Sequence, residues 1–143
     1  MEALQRLTRR QLDTLQAVQA AETPERGVSL QAVAARLGVR PPSALDHLTQ
    51  LEAMTLVTRY RGKTRLTPKG TSLLLEYLRH HRVTESAFSH LGLSPDEACR
   101  AAREVDLAVS HRTVDQLCSA GGHPSTCAHG EPIPPCETVR RKR

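Results

Sequence analysis

The residues best suited to chemistry in this chain are four cysteines and the histidines near them. All four cysteines lie within the last 45 of 143 residues. In a reducing compartment this placement indicates metal binding, redox sensing or buried apolar packing rather than disulfides. Together with His123 or His129 the thiols could ligate zinc or an iron–sulfur cluster, although intervals of 18, 8 and 8 residues form no compact Cys-x-x-Cys knuckle. The candidate cluster ligands are Cys99, Cys118, Cys127 and Cys136.

A second set of residues could contact nucleic acid. Between Thr55 and Arg82 there are seven Lys or Arg residues and one acidic residue, Glu76. Positive charge concentrated in this way suits contacts to phosphate, which provide most of the salt-dependent affinity for DNA. The alternative is a winged-helix module that binds proteins instead of DNA and needs no metal, with the same cations solvated on its surface.

The elements that would position these cations form a helix-turn-helix pattern. Apolar residues recur at helical spacing from Leu30 to Leu37, with Ser29 as the capping residue and Gly38 as the terminator. Pro41 and Pro42 suit the first turn of a second helix, which would be the recognition helix. We expect this helix to bury Leu45, Leu48 and Leu51 and to expose Ser43, Asp46, His47 and Gln50.

A basic hairpin is predicted after the second helix. Two β-prone runs, 56–60 and 64–67, are joined by Arg61-Gly62-Lys63, which supplies a turn glycine and charge. A cationic wing beside a recognition helix is typical of proteins that bind duplex DNA. The candidate contacts to bases and phosphates are Arg40, Pro42, Ser43, Asp46, His47, Arg59, Arg61 and Lys63.

The remainder of the chain is predicted to be helical. Thr67-Pro68 opens a long helix, and Ser94-Pro95-Asp96-Glu97 is a capping box for a helix running toward Val109. Ser110 opens a further helix that ends at Gly121 and Gly122. We therefore expect a mainly α protein with three parts: a winged helix-turn-helix domain with a small β wing in residues 1–70, a helical dimerisation and effector-binding domain in 71–136, and a basic disordered tail in 137–143.

Composition excludes several classes of protein. No apolar run approaches ~18 residues and no secretory pattern opens the chain, so we expect a cytoplasmic protein without a membrane partner. No glycine-rich oxyanion loop accompanies the cysteines and histidines, which argues against an enzyme.

Three stretches resemble the diphtheria toxin repressor and manganese transport regulator family. They are Leu66-Thr67-Pro68-Lys69-Gly70, the run from Arg79 to Glu85, and the closing loop from His123 to Pro134. The resemblance covers roughly residues 8–134. It implies a homodimeric, metal-responsive transcriptional repressor that binds a palindromic operator in double-stranded DNA, with a helical second domain that dimerises and holds manganese or iron.

The resemblance also implies metal ligands. The family's histidine on the long helix matches His81, its glutamate one turn later matches Glu85, and a further family histidine falls at Cys99. Asp106 occupies one position of the family's main site. The implied ligand set is thus His81, Glu85, Cys99 and Asp106, and its thiolate suits Zn or Fe better than Mn. The loop at Cys127 and His129 recurs in relatives whose metal lies elsewhere, which indicates a structural turn there.

Other main-site positions of the family hold residues that cannot bind a cation. These positions carry Arg10, Arg103 and Leu107. An arginine could supply a permanent positive charge beside Asp106, since a guanidinium stays protonated and pairs with carboxylates. Three alternatives for the effector therefore stand at this point: a divalent metal, a cysteine-ligated zinc or iron–sulfur cluster, and a regulator that needs no ion.

Overall fold

The structure is a computed structural model that describes residues 2–23 and 25–136, so the predicted tail lies outside the described residues. The chain divides into two compact units, Leu7–Leu74 and Met1–Arg6 with Leu75–Arg143. Among the described residues, no helix combines the length and apolarity needed to cross a bilayer.

The predicted mainly α fold is confirmed, with one small sheet. A short 3-10 turn, Leu4–Arg6, precedes the first helix. The helices are α1 Arg9–Ala21, α2 Leu30–Leu37, α3 Pro41–Ala53, α4 Pro68–His90, α5 Pro95–Val105 and α6 His111–Ala120, and the strands are β1 Val28–Ser29, β2 Val57–Tyr60 and β3 Lys63–Leu66.

Helices α1 to α3 form the helix-turn-helix core of the unit Leu7–Leu74. Ser29 caps α2 by accepting a hydrogen bond from the Ala32 N–H, and Gly38 ends it with φ 66°. A left-handed conformation at this position suits glycine because it has no Cβ. The buried cluster comprises Ala17, Val18, Val28, Val33, Ala34, Ala44 and Leu48. Leu45, which was expected inside, is half-buried, and Ala44 takes the interior position.

The wing is a tighter hairpin than the sequence predicted. Tyr60 pairs with Lys63, so Lys63 lies in β3 and the turn is Arg61-Gly62 alone. Both turn residues have positive φ, 48° and 73°, which is the pattern of a two-residue type I′ turn. Strand β1, which was not predicted, pairs antiparallel with β3 and gives the order β1-β3-β2.

The segment from Thr67 to Gly70 fixes the start of α4 against the wing. The Thr67 hydroxyl donates to the Thr55 carbonyl and accepts from the Gly70 N–H at 3.0 Å. A Cβ on Gly70 would lie 2.1 Å from the Leu56 carbonyl oxygen. Glycine is therefore required here by a close backbone approach rather than by its φ.

In the second unit the predicted capping box at Ser94 and the cap at Ser110 are both present. Helix α5 ends at Val105, four residues earlier than expected, because Asp106 becomes its C-cap and turns follow. The closing loop after α6 contains a bridge between Thr126 and Pro132. Its buried side chains pack with helix residues in one cluster, which comprises Val83, Val114, Cys118, Cys127, Ile133 and Cys136.

Candidate metal centre and nucleic-acid interface

His81, Glu85 and Cys99 come together in the second unit. The i, i+4 spacing on α4 places Glu85 Oε2 3.8 Å from His81 Nε2. Helix α5 contributes Cys99, whose Sγ lies 3.5 Å from the same nitrogen. One imidazole nitrogen, one carboxylate oxygen and one sulfur thus lie within 4.8 Å of one another. The structure brings together three of the four predicted metal ligands in this group.

Asp106 lies on the opposite side of His81 from the other two donors. Its Oδ2 accepts a hydrogen bond from His81 Nδ1 at 2.9 Å and another from the Tyr77 hydroxyl at 3.0 Å. The carboxylate is fully buried. A carboxylate that holds Nδ1–H leaves the Nε2 lone pair free for a metal, as in most protein metal sites with a histidine ligand. This arrangement favours Asp106 as the residue that orients His81 rather than as a direct ligand.

Glu85 also contacts His129, which the sequence suggested only as a ligand alongside the cysteines. Its Oε1 lies 2.6 Å from His129 Nδ1, and His129 Nε2 lies 3.0 Å from Asp96 Oδ1. Hydrogen bonds to Asp96 and Glu85 raise the pKa of His129. The hydrogen bond between Asp96 and His129 also lowers the pKa of Asp96. Cys127 joins Glu85 and His129 within ligand distance. The closing loop, predicted to be a structural turn, therefore brings two additional donors to the carboxylate.

The surroundings of Cys99 favour the protonated thiol. Burial raises the pKa of the Cys99 thiol, and the nearby Glu85 and Cys127 raise it further. A cation would be needed to draw the proton off, since thiolate is the form that binds metal. Nitrogen, oxygen and sulfur donors converging on one point fit a divalent transition metal of the Fe or Zn type.

The four cysteines predicted as one cluster are divided between separate groups. Cys118 and Cys136 lie with His123, Cys99 lies with His81, and Cys127 lies with Glu85 and His129. All four are free thiols. Within the described part of the chain, no group contains more than two of them. A single cluster with four cysteine ligands is therefore not assembled, because the closing loop directs its cysteines to different helices.

The other main-site positions of the family carry arginine and leucine side chains, which do not ligate cations. Arg103 is exposed on α5, and Leu107 is half-buried in the turn after it. Arg10 is exposed on α1 in the other unit.

The predicted nucleic-acid contacts lie largely at the surface of the first unit. On α3, Ser43 and Asp46 are exposed, as are Arg40 and Pro42 at its start. In the wing, Arg61 and Lys63 are exposed and line a shallow groove with Arg26, Thr58, Tyr60 and Arg65. The structure therefore places most of the predicted contacts on accessible surface.

Two of the predicted DNA contacts are less accessible, because Arg59 is paired with a carboxylate and His47 is half-buried. The Arg59 N–H donates to Glu52 at 3.1 Å, and its guanidinium lies 3.9 Å from the same carboxylate. His47 is half-buried in a small cleft beside Arg10 and Asp13, and its Nδ1 has no hydrogen-bond partner among the described residues. Arg59 thus ties β2 to the end of α3, and His47 faces α1.

The chain is similar to known regulators in sequence and in fold. Residues 67–135 match the family profile described as the iron dependent repressor, metal binding and dimerisation domain. The transcriptional regulator MntR of Salmonella typhimurium is 35% identical over 85 residues, which are 58% of this chain and 54% of that protein. The MntR of Escherichia coli O157:H7 is 36% identical over the same length. The chain thus spans about half the length of these relatives.

Solved structures show the same architecture. The protein SSo2273 from Sulfolobus solfataricus has a TM-score of 0.84 at 26% identity, with 90% of this chain and 99% of that chain covered. A manganese-dependent transcriptional repressor in complex with manganese has a TM-score of 0.71 at 30% identity, with 89% and 59% covered. The two MntR proteins and the manganese-dependent repressor are transcriptional regulators. Residues 67–135 thus match the metal-binding and dimerisation domain of iron dependent repressors, and the chain is similar to MntR and to a manganese-dependent transcriptional repressor.

Proposed function

We propose that this chain is a metal-responsive transcriptional repressor that binds double-stranded DNA as a homodimer. Residues 1–70 would form the DNA-binding domain and residues 71–136 the dimerisation and effector-binding domain. The observation that carries the proposal is the exposed cationic hairpin next to α3 in the first unit. Exposed positive charge of this kind suits contacts to DNA phosphates.

The DNA-binding surface would combine base and phosphate contacts. The exposed side chains of Ser43 and Asp46 would reach base edges in the major groove, where hydroxyl and carboxylate groups pair with exocyclic amines. Arg61 and Lys63 at the tip of the wing would contact phosphates. The Arg61 guanidinium also stacks on the exposed Tyr60 ring, 5.1 Å from its centroid. This contact limits the conformations of the tip before DNA is bound.

The effector site would be the group of His81, Glu85 and Cys99. When bound there, a divalent iron, manganese or zinc ion would supply a positive charge shared by α4 and α5. The chain's own residues prepare the site: Asp106 holds the imidazole in the tautomer with a free Nε2, and Tyr77 holds Asp106. Cys99 gives up its proton on binding, so uptake of the ion is expected to be weaker at low pH.

Dimerisation is supported by exposed apolar side chains in the second unit. Leu91 is 79% exposed and Leu75 is 53% exposed. Both lie within the region matched by the dimerisation-domain family. Covering these leucines with a second copy would remove their apolar surface from water.

The test is a fluorescence-anisotropy titration of duplex DNA at several salt concentrations, with and without metal. Arg61→Ala with Lys63→Ala should weaken binding to all sequences alike and make the slope of log K against log salt shallower by about 1.8. The matched control is Arg100→Ala with Arg112→Ala, which removes the same charge from exposed positions of the second unit. An unchanged slope in the wing variant would contradict the proposal.

A further inference from the structure

Two thiols and an imidazole meet at the end of α6, apart from the His81 group. His123 Nδ1 lies 3.5 Å from Cys118 Sγ and 3.5 Å from Cys136 Sγ. The three donor atoms all lie within 4.8 Å of one another. Both cysteines are buried, with 4% and 5% of their surface exposed, whereas His123 is exposed.

These distances match the edges of a tetrahedral zinc site. Bonds of about 2.3 Å to sulfur and roughly 2.0–2.1 Å to nitrogen, at a tetrahedral angle, place the two ligand atoms about 3.5 Å apart. Both nitrogen–sulfur separations have this value. We infer that Cys118, His123 and Cys136 form a second metal site, specific for a soft divalent cation of the zinc type, in addition to the proposed effector site.

The backbone at the end of α6 directs His123 toward the thiols. The His123 N–H donates to the Cys118 carbonyl, and the Gly122 N–H donates to that of Ser119, which together form a Schellman motif. His123 itself has φ 56°, a left-handed conformation that is uncommon for residues other than glycine. The chain accepts this conformation at the position where the imidazole approaches both sulfurs, which is typical of residues held for a function.

The charges at the site suit a divalent cation. Burial raises the pKa of the Cys118 thiol, and so does the neighbouring Cys136, whereas the Arg79 guanidinium acts in the opposite direction. Two adjacent buried thiolates repel each other, and a dipositive ion would neutralise both. The Arg79 guanidinium forms an ion pair with Asp115 at 2.7 Å, which offsets part of its charge beside the site.

The donor set separates this site from the His81 group. One nitrogen and two sulfurs, with no carboxylate, favour zinc over manganese, whereas the His81 group includes the carboxylate of Glu85. Three protein ligands leave one coordination position for water. An ion here would join α6 to the end of the closing loop. The inferred role is therefore to fasten the loop, which goes beyond effector sensing.

The experiment uses the reduced, metal-free full chain carrying His81→Ala and Cys99→Ser, which together remove two donors of the effector site. Zn²⁺ is titrated against a chromogenic chelator, and Co²⁺ is added separately to record the thiolate-to-cobalt absorption band. We expect one Zn²⁺ per chain and a strong band. Adding His123→Asn should weaken zinc binding by more than the roughly 10- to 100-fold that loss of an outer-sphere partner costs.

The variants are chosen so that a failure to fold cannot mimic the result. Asparagine tolerates the left-handed conformation, and His123 is exposed, so His123→Asn should retain the fold. Cys127→Ser, at a comparably buried thiol of the same cluster, should leave the cobalt band unchanged. Cys118→Ser with Cys136→Ser should abolish it.

Three results would overturn the inference. They are absence of bound zinc in the His81→Ala, Cys99→Ser background, equal zinc affinity with and without His123, and formation of a Cys118–Cys136 disulfide in a chain that takes up no metal. DNA binding is not measured, so each of these results leaves the proposed repressor function standing.

Discussion

The two units present their functional side chains in opposite ways. In the unit Leu7–Leu74 the candidate contacts are mostly exposed and follow one another along α3 and a two-residue hairpin turn. In the second unit the donors are buried or half-buried, apart from the exposed His123 and His129, and come from α4, α5, α6 and the closing loop. The geometry of a surface built from neighbouring residues is set by the local backbone. The geometry of a site built from distant segments is set by the contacts of each side chain. The following predictions test that difference, beginning with the largest expected effect.

Removing one imidazole should eliminate the metal response. His81→Ala deletes the nitrogen that both Glu85 and Cys99 approach. It also removes the ligand that Asp106 orients by a hydrogen bond. We expect DNA binding that no longer changes when iron, manganese or zinc is added, measured by anisotropy. His90→Ala, at an exposed histidine of the same helix, is the control and should retain the response. A metal response that survives in His81→Ala would show that the effector binds elsewhere.

Adding one methyl group to the backbone contact of the first unit should destabilise it. Gly70→Ala places a Cβ 2.1 Å from the Leu56 carbonyl oxygen, and neither backbone segment can move freely. We expect the free energy of unfolding to fall by about 3 kcal/mol, at the upper end of overpacking costs. Denaturant titration measures this loss.

The control is Gly121→Ala in the second unit. There the added Cβ would come no closer than 3.3 Å to the Leu117 carbonyl oxygen, and φ is −82°. Its cost should be well below that of Gly70→Ala. Similar costs for the two substitutions would mean that the contact at Gly70 is relaxed by small shifts.

Neutralising the Asp106 carboxylate should weaken metal binding at the His81 group without abolishing it. Asp106→Asn can still accept hydrogen bonds from Tyr77 and His81 but no longer polarises the imidazole. We expect metal affinity to fall roughly 10- to 100-fold, as for other outer-sphere partners of histidine ligands. Chelator competition measures the affinity. A complete loss of binding would instead indicate that Asp106 is itself a ligand, as the family resemblance implied.

The smallest effects should be equal in the two units. Thr8 and Ser94 each form a complete capping box at the start of a helix, α1 in one unit and α5 in the other. Thr8→Ala and Ser94→Ala should each cost about 1 kcal/mol of stability, measured by thermal denaturation. A cost several times larger at one of them would reveal a tertiary role for that residue.

Features determined by local sequence could be predicted. The starts of α2, α5 and α6 follow from Ser29, Ser94 and Ser110, because a serine side chain satisfies an N–H group three residues ahead. The hairpin was predicted from Arg61-Gly62-Lys63 between two β-prone runs, because its glycine tolerates positive φ, although the turn itself is Arg61-Gly62 alone.

Features that depend on distant pairing could not be predicted. Strand β1 is two residues long and exists because Val28 and Ser29 pair with β3 more than thirty positions away. The contact of His129 with Glu85 joins residues 44 positions apart across an irregular loop. Nothing in the spacing of the four cysteines indicates which loop residue meets which helix. The family resemblance supplied the first three donors but identified the loop as a turn.

The carboxylate of Glu85 serves two neighbours at once, with Oε2 toward His81 and Oε1 toward His129. A single planar group cannot rotate toward one histidine without turning away from the other. Rotation of the Glu85 carboxylate toward α5 would therefore lengthen its hydrogen bond to His129. The closing loop would lose part of that contact through a change in one side-chain torsion angle of Glu85. A cation held by Glu85 would therefore change the contact of this carboxylate with His129 in the closing loop.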